Sequence, residues 1–448
     1  MWRRLKLLAF RLRLNVASLE APCFQASPEC GRMENQTLPY LTQELKKAIK
    51  NAYRGGKSLG STEKEAAALL DSLINTALSY GTSDIHLQNL GEMKVLVKFR
   101  IDGVLKQVVE LPPNISDGLL SRLKYITHMR LDSPLPQDGR FDAKYQDKNV
   151  VVRVSVMPTR LGEDATLRLL ADIARPKTLK ELGLQKQDLE VIERALGRPY
   201  GMILVCGPTS CGKTTTAYNM IERVNREGVN VCTIEDPIEY VILGVRQLQI
   251  DLSVGLDFAL GLKAILRHDP DVIFVGEVRD RETAEIAVDS ALTGHLIFSS
   301  LHANSASEAI TRMRDLGSRP YLLAATMNIV VAQRLVRKLC PKCKTKTKPR
   351  REDAALVKAG YGIDISKIDV HEGRGCKACQ GSGYQGRTGI FEALRISEPI
   401  KELILASAPS SRIIDQARKE GFTSMFEDGL EKVKKATISL LDLLAATG

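Results

Sequence analysis

The apolar run GMILVC, residues 201–206, leads directly into GPTSCGKTTT, residues 207–216, and this junction limits the possible folds more than anything else in the chain. The pattern G-x-x-x-x-G-K-[ST] between a buried strand and a helix is a phosphate loop. It needs a parallel sheet around it, because the loop amides and helix N-terminus that attract phosphate gather at the carboxyl edge of such a sheet. Gly207 allows the tight exit from the strand and Gly212 the close approach of backbone to ligand. Lys213 is placed to reach the β and γ phosphates and the Thr214 hydroxyl to hold Mg²⁺. Gly207, Pro208, Thr209, Ser210, Cys211, Gly212, Lys213, Thr214 and Thr215 are therefore the expected cradle for ATP. Ser210 lacks a glycine's freedom at positive φ, which predicts local backbone strain. Cys211 lies near a helix N-terminus, where a thiolate would be stabilised and open to oxidation or alkylation; the alternative is a small space-filling residue.

Around this loop the chain alternates between apolar strands and helices. Strands are expected at NVCTI, VRQLQI, DVIFV and HLIFSSL, with helices over 186–197, from Lys213, and over about 257–267, 281–292 and 305–316. That grammar predicts a mostly parallel sheet covered on both faces. Upstream, a helix is expected over 63–80, strands at SDIHLQ and MKVLVKFRIDGVLKQVVEL with a hairpin turn at Asp102-Gly103, a helix over about 115–131, and a second hairpin over 139–158. This is an α+β pattern long enough for its own domain. Between 336 and 392 the pattern breaks into Lys-, Gly- and Cys-rich sequence, and helices resume over about 397–446.

Two further segments put carboxylates at the carboxyl ends of strands. Glu277, just past DVIFV, is placed to orient or activate water, while Glu235, Asp236 and Glu239 of TIEDPIEY are candidates to organise Mg²⁺ or that water. His295 and His302 flank the last parallel strand, and His302, at the same edge as the other elements, is a candidate phosphate sensor.

The ordered set GPTSCGKTTT, TIEDPIEY, ILRHDPDVIFVGEVRD, TGHLIFSSLHANSA and AQRLVRKLC resembles the type II secretion and type IV pilus assembly ATPases, and SDIHLQ, FRIDGVL and PQDGRF extend the likeness to residues 61–448. The resemblance implies an α/β fold in which a PAS-like α+β domain (61–172) precedes a RecA-like P-loop ATPase domain (173–448) with a tetracysteine zinc insert near 336–392 and C-terminal helices. Residues 1–60 would be an N-terminal extension. It implies Glu277 as the catalytic glutamate, Glu239 as the acidic-box glutamate, and Arg100, Arg140 and Arg153 as arginines that approach nucleotide, where a planar cation detects γ-phosphate charge. It implies a homohexamer at the cytoplasmic face of an inner membrane, docked on a membrane platform protein and coupled indirectly to pilin or pseudopilin. The chain departs from the usual pattern at Ser210-Cys211, where the family reads Gly-Ser, and in its short N-terminal region.

Cysteine usage supplies a second signal. Four of the nine cysteines form CPKC (Cys340, Cys343) and CKAC (Cys376, Cys379), four thiolates suited to tetrahedral Zn²⁺. The 32 residues between the pairs exceed the spacing of a compact zinc ribbon, but the second pair resembles the family's own tetracysteine insert. A net charge of +11 suits anionic lipid, nucleic acid or an acidic partner equally. With aromatics only 5% of the chain, stacking modules for nucleic acid are not favoured. The first thirteen residues, MWRRLKLLAFRLR, are too interrupted by arginine for a secretory signal; a transit peptide, or translation starting at Met33, are the other readings. A weakly hydrolysing regulatory subunit, a pilus-retraction ATPase and a nucleic-acid motor are the alternative functions.

Overall fold

The structure, a computed structural model, describes residues 43–54, 63–91, 94–146, 148–171 and 178–448. The basic start, Met33, Cys23 and Cys30 lie outside the described residues.

In the first unit, strands β1 (Thr82–Asn89), β2 (Val95–Ile101), β3 (Val104–Leu111), β4 (Gln137–Tyr145), β5 (Lys148–Thr159) and β6 (Gly162–Ala171) form one antiparallel sheet in the order β3-β2-β1-β6-β5-β4. Alternation along β5 turns Val150, Val152, Val154 and Val156 inward, and Leu169, Leu167 and Ala165 of β6 lie opposite the last three. Helices Glu63–Ser79 and Pro113–Ile126 cover that face with Leu69, Leu73, Leu119 and Leu123, and helix Gln43–Arg54 adds Leu45 to the same cluster. The β2–β3 turn takes positive φ at both central residues, 49° at Asp102 and 84° at Gly103, as a two-residue hairpin matched to strand twist requires. The second helix stops at Ile126, short of the expected 131, because His128 takes φ 56° and turns the chain out of the helix. β6 was not expected; its signal is the period-two spacing of Ala165, Leu167 and Leu169, diluted by the polar start GED.

The second unit contains β7 (Gly201–Cys206), β8 (Val231–Glu235), β9 (Arg246–Gln249), β10 (Val272–Val275), β11 (Leu296–Leu301), β12 (Met327–Leu339), β13 (Lys344–Thr347), β14 (Val370–Gly373) and β15 (Tyr384–Arg395). Seven of these form a sheet ordered β15-β12-β7-β11-β10-β8-β9, parallel except for the antiparallel β12–β15 pair. Met202, Leu204 and Cys206 point to one face against Ala284, Ala287 and Met313; Ile203 and Val205 point to the other against Ile192, Ala217 and Ile221. Each buried aliphatic side chain contributes roughly 2 kcal/mol of transfer free energy. That is why β7 reads as an unbroken apolar run. The irregular stretch expected over 336–392 is narrower: β12 extends to Leu339 and β15 resumes at Tyr384, both inside the main sheet. Four C-terminal helices between Glu398 and Thr447 follow as expected. Among the described residues no helix is long and apolar enough to cross a membrane.

Candidate active site

Because β7, β11, β10 and β8 run parallel and adjacent, their carboxyl ends gather four expected elements at one edge. The phosphate loop follows β7, His302 follows β11, Glu277 lies two residues past β10, and Glu235 closes β8. His295, hydrogen-bonded to the Ser290 carbonyl at 2.9 Å, sits at the far end of β11, away from this edge.

Gly207 has φ 155°, and a Cβ there would lie 2.5 Å from Cys211 Sγ and 2.6 Å from the Gln333 carbonyl oxygen. Gly212, with φ 88°, opens helix Lys213–Val224. Ser210 takes φ 60°, so the strain expected of a non-glycine residue there is present. Pro208, Thr209 and Ser210 are exposed at the loop tip, with Thr214 and Thr215 on the first turn of the helix. Lys213 Nζ donates to the loop's own carbonyls, 2.9 Å to Gly207 and 3.1 Å to Pro208. Partial burial pulls its pKa down, opposed by Cys211 and Glu277. Cys211 corrects the expectation of reactivity: its side chain is buried against Gly207, and burial raises its pKa although Lys213 and Arg334 pull it down. It is the space-filling residue.

Glu277 receives Arg279 Nη2 at 2.5 Å, and His302 Nε2 lies 3.7 Å away on the other carboxylate oxygen. Partial burial and the Lys213 charge hold His302 below its ordinary pKa, with Glu277 opposing. The shift favours the neutral imidazole. Glu235 differs from the expectation that it meets Mg²⁺ or water. It is 2% exposed, and its carboxylate accepts from the Tyr218 hydroxyl, from Thr233 Oγ1 at 2.6 Å and from Gln247 Nε2 at 3.1 Å. Asp236 and Glu239 lie beyond it on the loop to β9, and Glu239 approaches Arg153 at 3.8 Å.

The arginines of the first unit share one row. Arg140 pairs in register with Arg153, Arg153 with Arg168, Arg168 with Asp84, and Asp84 with Arg100, across β4, β5, β6, β1 and β2. Asp84 is buried, which would raise its pKa, but Arg168 at 2.9 Å and Ser83 hold it below the usual carboxylate range. Arg153 crosses between the units, donating to the Ile238 carbonyl at 3.1 Å as well as facing Glu239. Arg100 and Arg140 lie on the same row, and Arg100 faces Asp84 at 3.7 Å. Arg168 was missed because β6 was not recognised, and Asp84, in the expected SDIHLQ strand, gives no signal until Arg168 is placed beside it. Gln333 and Arg334 of β12 were missed as well. Gln333 Nε2 holds the Cys211 carbonyl at 2.7 Å, and Arg334 ties Asn304 O at 2.8 Å to the strand beneath the loop.

The four cysteines meet. All four Sγ atoms lie within 4.8 Å of one another, with Cys340–Cys376 at 3.9 Å and Cys343–Cys379 and Cys376–Cys379 at 3.7 Å. A tetrahedral Zn–S₄ centre with ~2.3 Å bonds needs sulfurs roughly 3.8 Å apart. The N–H groups of Cys376 and Gly383 aim at Cys379 Sγ at 3.1 and 3.2 Å, as suits a thiolate. β13 and β14 explain how the long spacing closes: their antiparallel pairing, Lys344 opposite Gly373, joins the two pairs while helix Arg351–Tyr361 takes up the excess chain.

Comparison with known proteins then settles the lineage. Residues 61–445 match the family described as Type II/IV secretion system protein. The chain belongs to that family. Type II secretion system protein E of Pseudomonas aeruginosa is 41% identical over 381 residues, covering 85% of this chain and 75% of that protein. The type IV pilus assembly ATPase PilB of Myxococcus xanthus is 39% identical over 382 residues, covering 85% and 67%. Among solved structures, the pilus retraction motor PilT with bound ADP superposes with TM-score 0.59 at 28% identity, covering 84% of this chain and 96% of PilT. As a member of the Type II/IV secretion system family, the chain is a P-loop ATPase of mixed α/β fold.

Proposed function

We propose that this ATPase drives assembly of a type IV pilus or pseudopilus, or type II protein export, as a homohexamer at the cytoplasmic face of an inner membrane. In this reading it works against a membrane platform protein and reaches pilin or pseudopilin only indirectly. The observation that carries the reading is the convergence of the phosphate loop, Glu277, His302 and the Glu239 loop at one sheet edge, with Arg153 brought onto that loop from the other unit.

The first unit is PAS-like in this reading and the second RecA-like. The loop amides and Lys213 bind phosphate, so Lys213 must leave the carbonyls of Gly207 and Pro208 when nucleotide enters. Mg²⁺ fits the Thr214 hydroxyl and supplies neutralisation of phosphate charge. Glu277, exchanging Arg279 for water, orients the nucleophile as general base, with His302 beside it. Asp236 and Glu239 organise the metal and water, while Arg153, with Arg100 and Arg140 on the same row, brings cationic charge to the γ-phosphate as the units close. The four thiolates fit structural Zn²⁺. Retraction, the activity named for PilT, is the second reading; relatives named for secretion and pilus assembly at 39–41% identity, against 28% for PilT, favour assembly or secretion.

Mg-ATP hydrolysis across a protein concentration series, beside Glu277→Gln, tests the proposal. Turnover per chain should rise with concentration and fall about 10²–10⁴-fold in the variant. ATP binding without turnover at every concentration would leave only a nucleotide-gated subunit.

A further inference from the structure

The buried hydroxyl of Tyr218 touches both halves of the site. Tyr218 lies in the second turn of the helix that begins at Lys213, and its side chain is fully buried. Its ring packs edge-on against Tyr240 at 4.6 Å and Phe274 at 6.0 Å, which fixes where the hydroxyl points. That hydroxyl donates to Glu235 and accepts the Glu239 backbone N–H at 3.3 Å. Glu235 is held in turn by Thr233 and Gln247, and Gln247 folds the same loop by donating to the Tyr240 carbonyl at 3.1 Å and accepting from the Ile242 N–H at 2.7 Å. The loop so held is the one that offers the Ile238 carbonyl and the Glu239 carboxylate to Arg153.

We propose that Tyr218 is a positioning residue: its hydroxyl registers the 236–245 loop to the phosphate-loop helix, so that nucleotide at Lys213 and the arginine row of the first unit are read through one rigid connection. This rests on the reading of the edge as an ATPase site. A side chain that moved with the phosphate-loop helix would carry the Glu239 amide with it, whereas a purely structural tyrosine would need only its ring. The hydroxyl is the part that ring packing does not explain, since burial of an O–H is tolerated only where it is hydrogen-bonded.

Tyr218→Phe keeps the ring contacts and removes the hydroxyl. The expected result is ADP affinity unchanged within about twofold, KM for ATP unchanged, and kcat lowered about tenfold, below the roughly 10²-fold that a misplacement of about 1 Å can cost. Hydrogen exchange of the 236–245 amides should rise in the same sample without nucleotide. Thr233→Val is the control: it removes another donor to Glu235 but does not touch Glu239, so it should lower Tm while leaving kcat and loop exchange near wild type. The proposal is overturned if Tyr218→Phe leaves kcat and loop exchange unchanged, or if Thr233→Val reproduces both effects. If the wild-type chain binds no nucleotide, the ATPase reading falls, while the exchange data still decide whether Tyr218 holds the loop.

Discussion

The nucleotide edge and the tetracysteine cluster are built on opposite plans. At the first, polar side chains come from the ends of several parallel strands and pair with one another or with the loop's own backbone: Lys213 with two loop carbonyls, Glu277 with Arg279. At the second, two short C-x-x-C segments are closed on each other by the β13–β14 pair, with sulfurs at 3.7 to 3.9 Å and backbone N–H groups already aimed at one of them. A site that must exchange ligands keeps partners it can release, whereas a site that holds a fold saturates its ligands from within the chain.

The strongest test of that division acts on the nucleotide edge alone. Glu277→Gln should lower turnover by about 10²–10⁴-fold, the scale of general-base loss, with ADP binding and metal content unchanged; a matching loss of metal would merge the two sites. Next in size, Cys343→Ser or removal of metal by a chelator should destabilise 340–383 by several kcal/mol, since structural zinc is worth roughly 10 kcal/mol or more in isolated modules. Limited proteolysis would then cut there while ADP binding persists. One zinc per chain is the expected metal content.

Thiol chemistry sharpens the contrast further. On metal removal four thiols should become reactive to alkylating reagents at pH 8, while Cys211 stays unmodified in the folded protein. Burial raises its pKa, so its thiolate fraction at that pH is below that of an ordinary cysteine and grows only as pH climbs further. Rapid alkylation of Cys211 with loss of ATP binding would instead make it a reactive member of the loop. The smallest expected effect is that of Ser210→Gly. Relief of the left-handed φ of 60° should add about 1 kcal/mol, or about 2–4 °C in Tm, with turnover near wild type.

Legibility followed how local the signal was. GMILVC and the loop after it, the acids after β8 and β10, and His302 are each read from a few adjacent residues, and the structure puts them at one edge. The sequence is misleading where a residue's burial depends on distant neighbours. Glu235 looks like an exposed strand-end acid until Tyr218, Thr233 and Gln247 enclose it, and Cys211 looks reactive until Gly207 and β12 pack beneath it. β6 and β15 carry a weaker apolar signal than the unbroken β7, because β6 opens on GED and β15 on YQGRTG before their apolar residues begin.

By itself, then, the sequence determined a phosphate loop on a parallel α/β sheet, an acidic and histidine set in fixed order after it, and four cysteines in two pairs. Those follow from residue type and near-neighbour spacing, which act over one strand, turn or helix end. Only the tertiary structure decided that Arg100, Arg140 and Arg153 share a row with Arg168 and Asp84, that Arg153 meets the acidic loop, and that Tyr218 joins that loop to the phosphate-loop helix. Register between strands and burial by remote segments are set by packing across the whole fold, and no short stretch of chain encodes them.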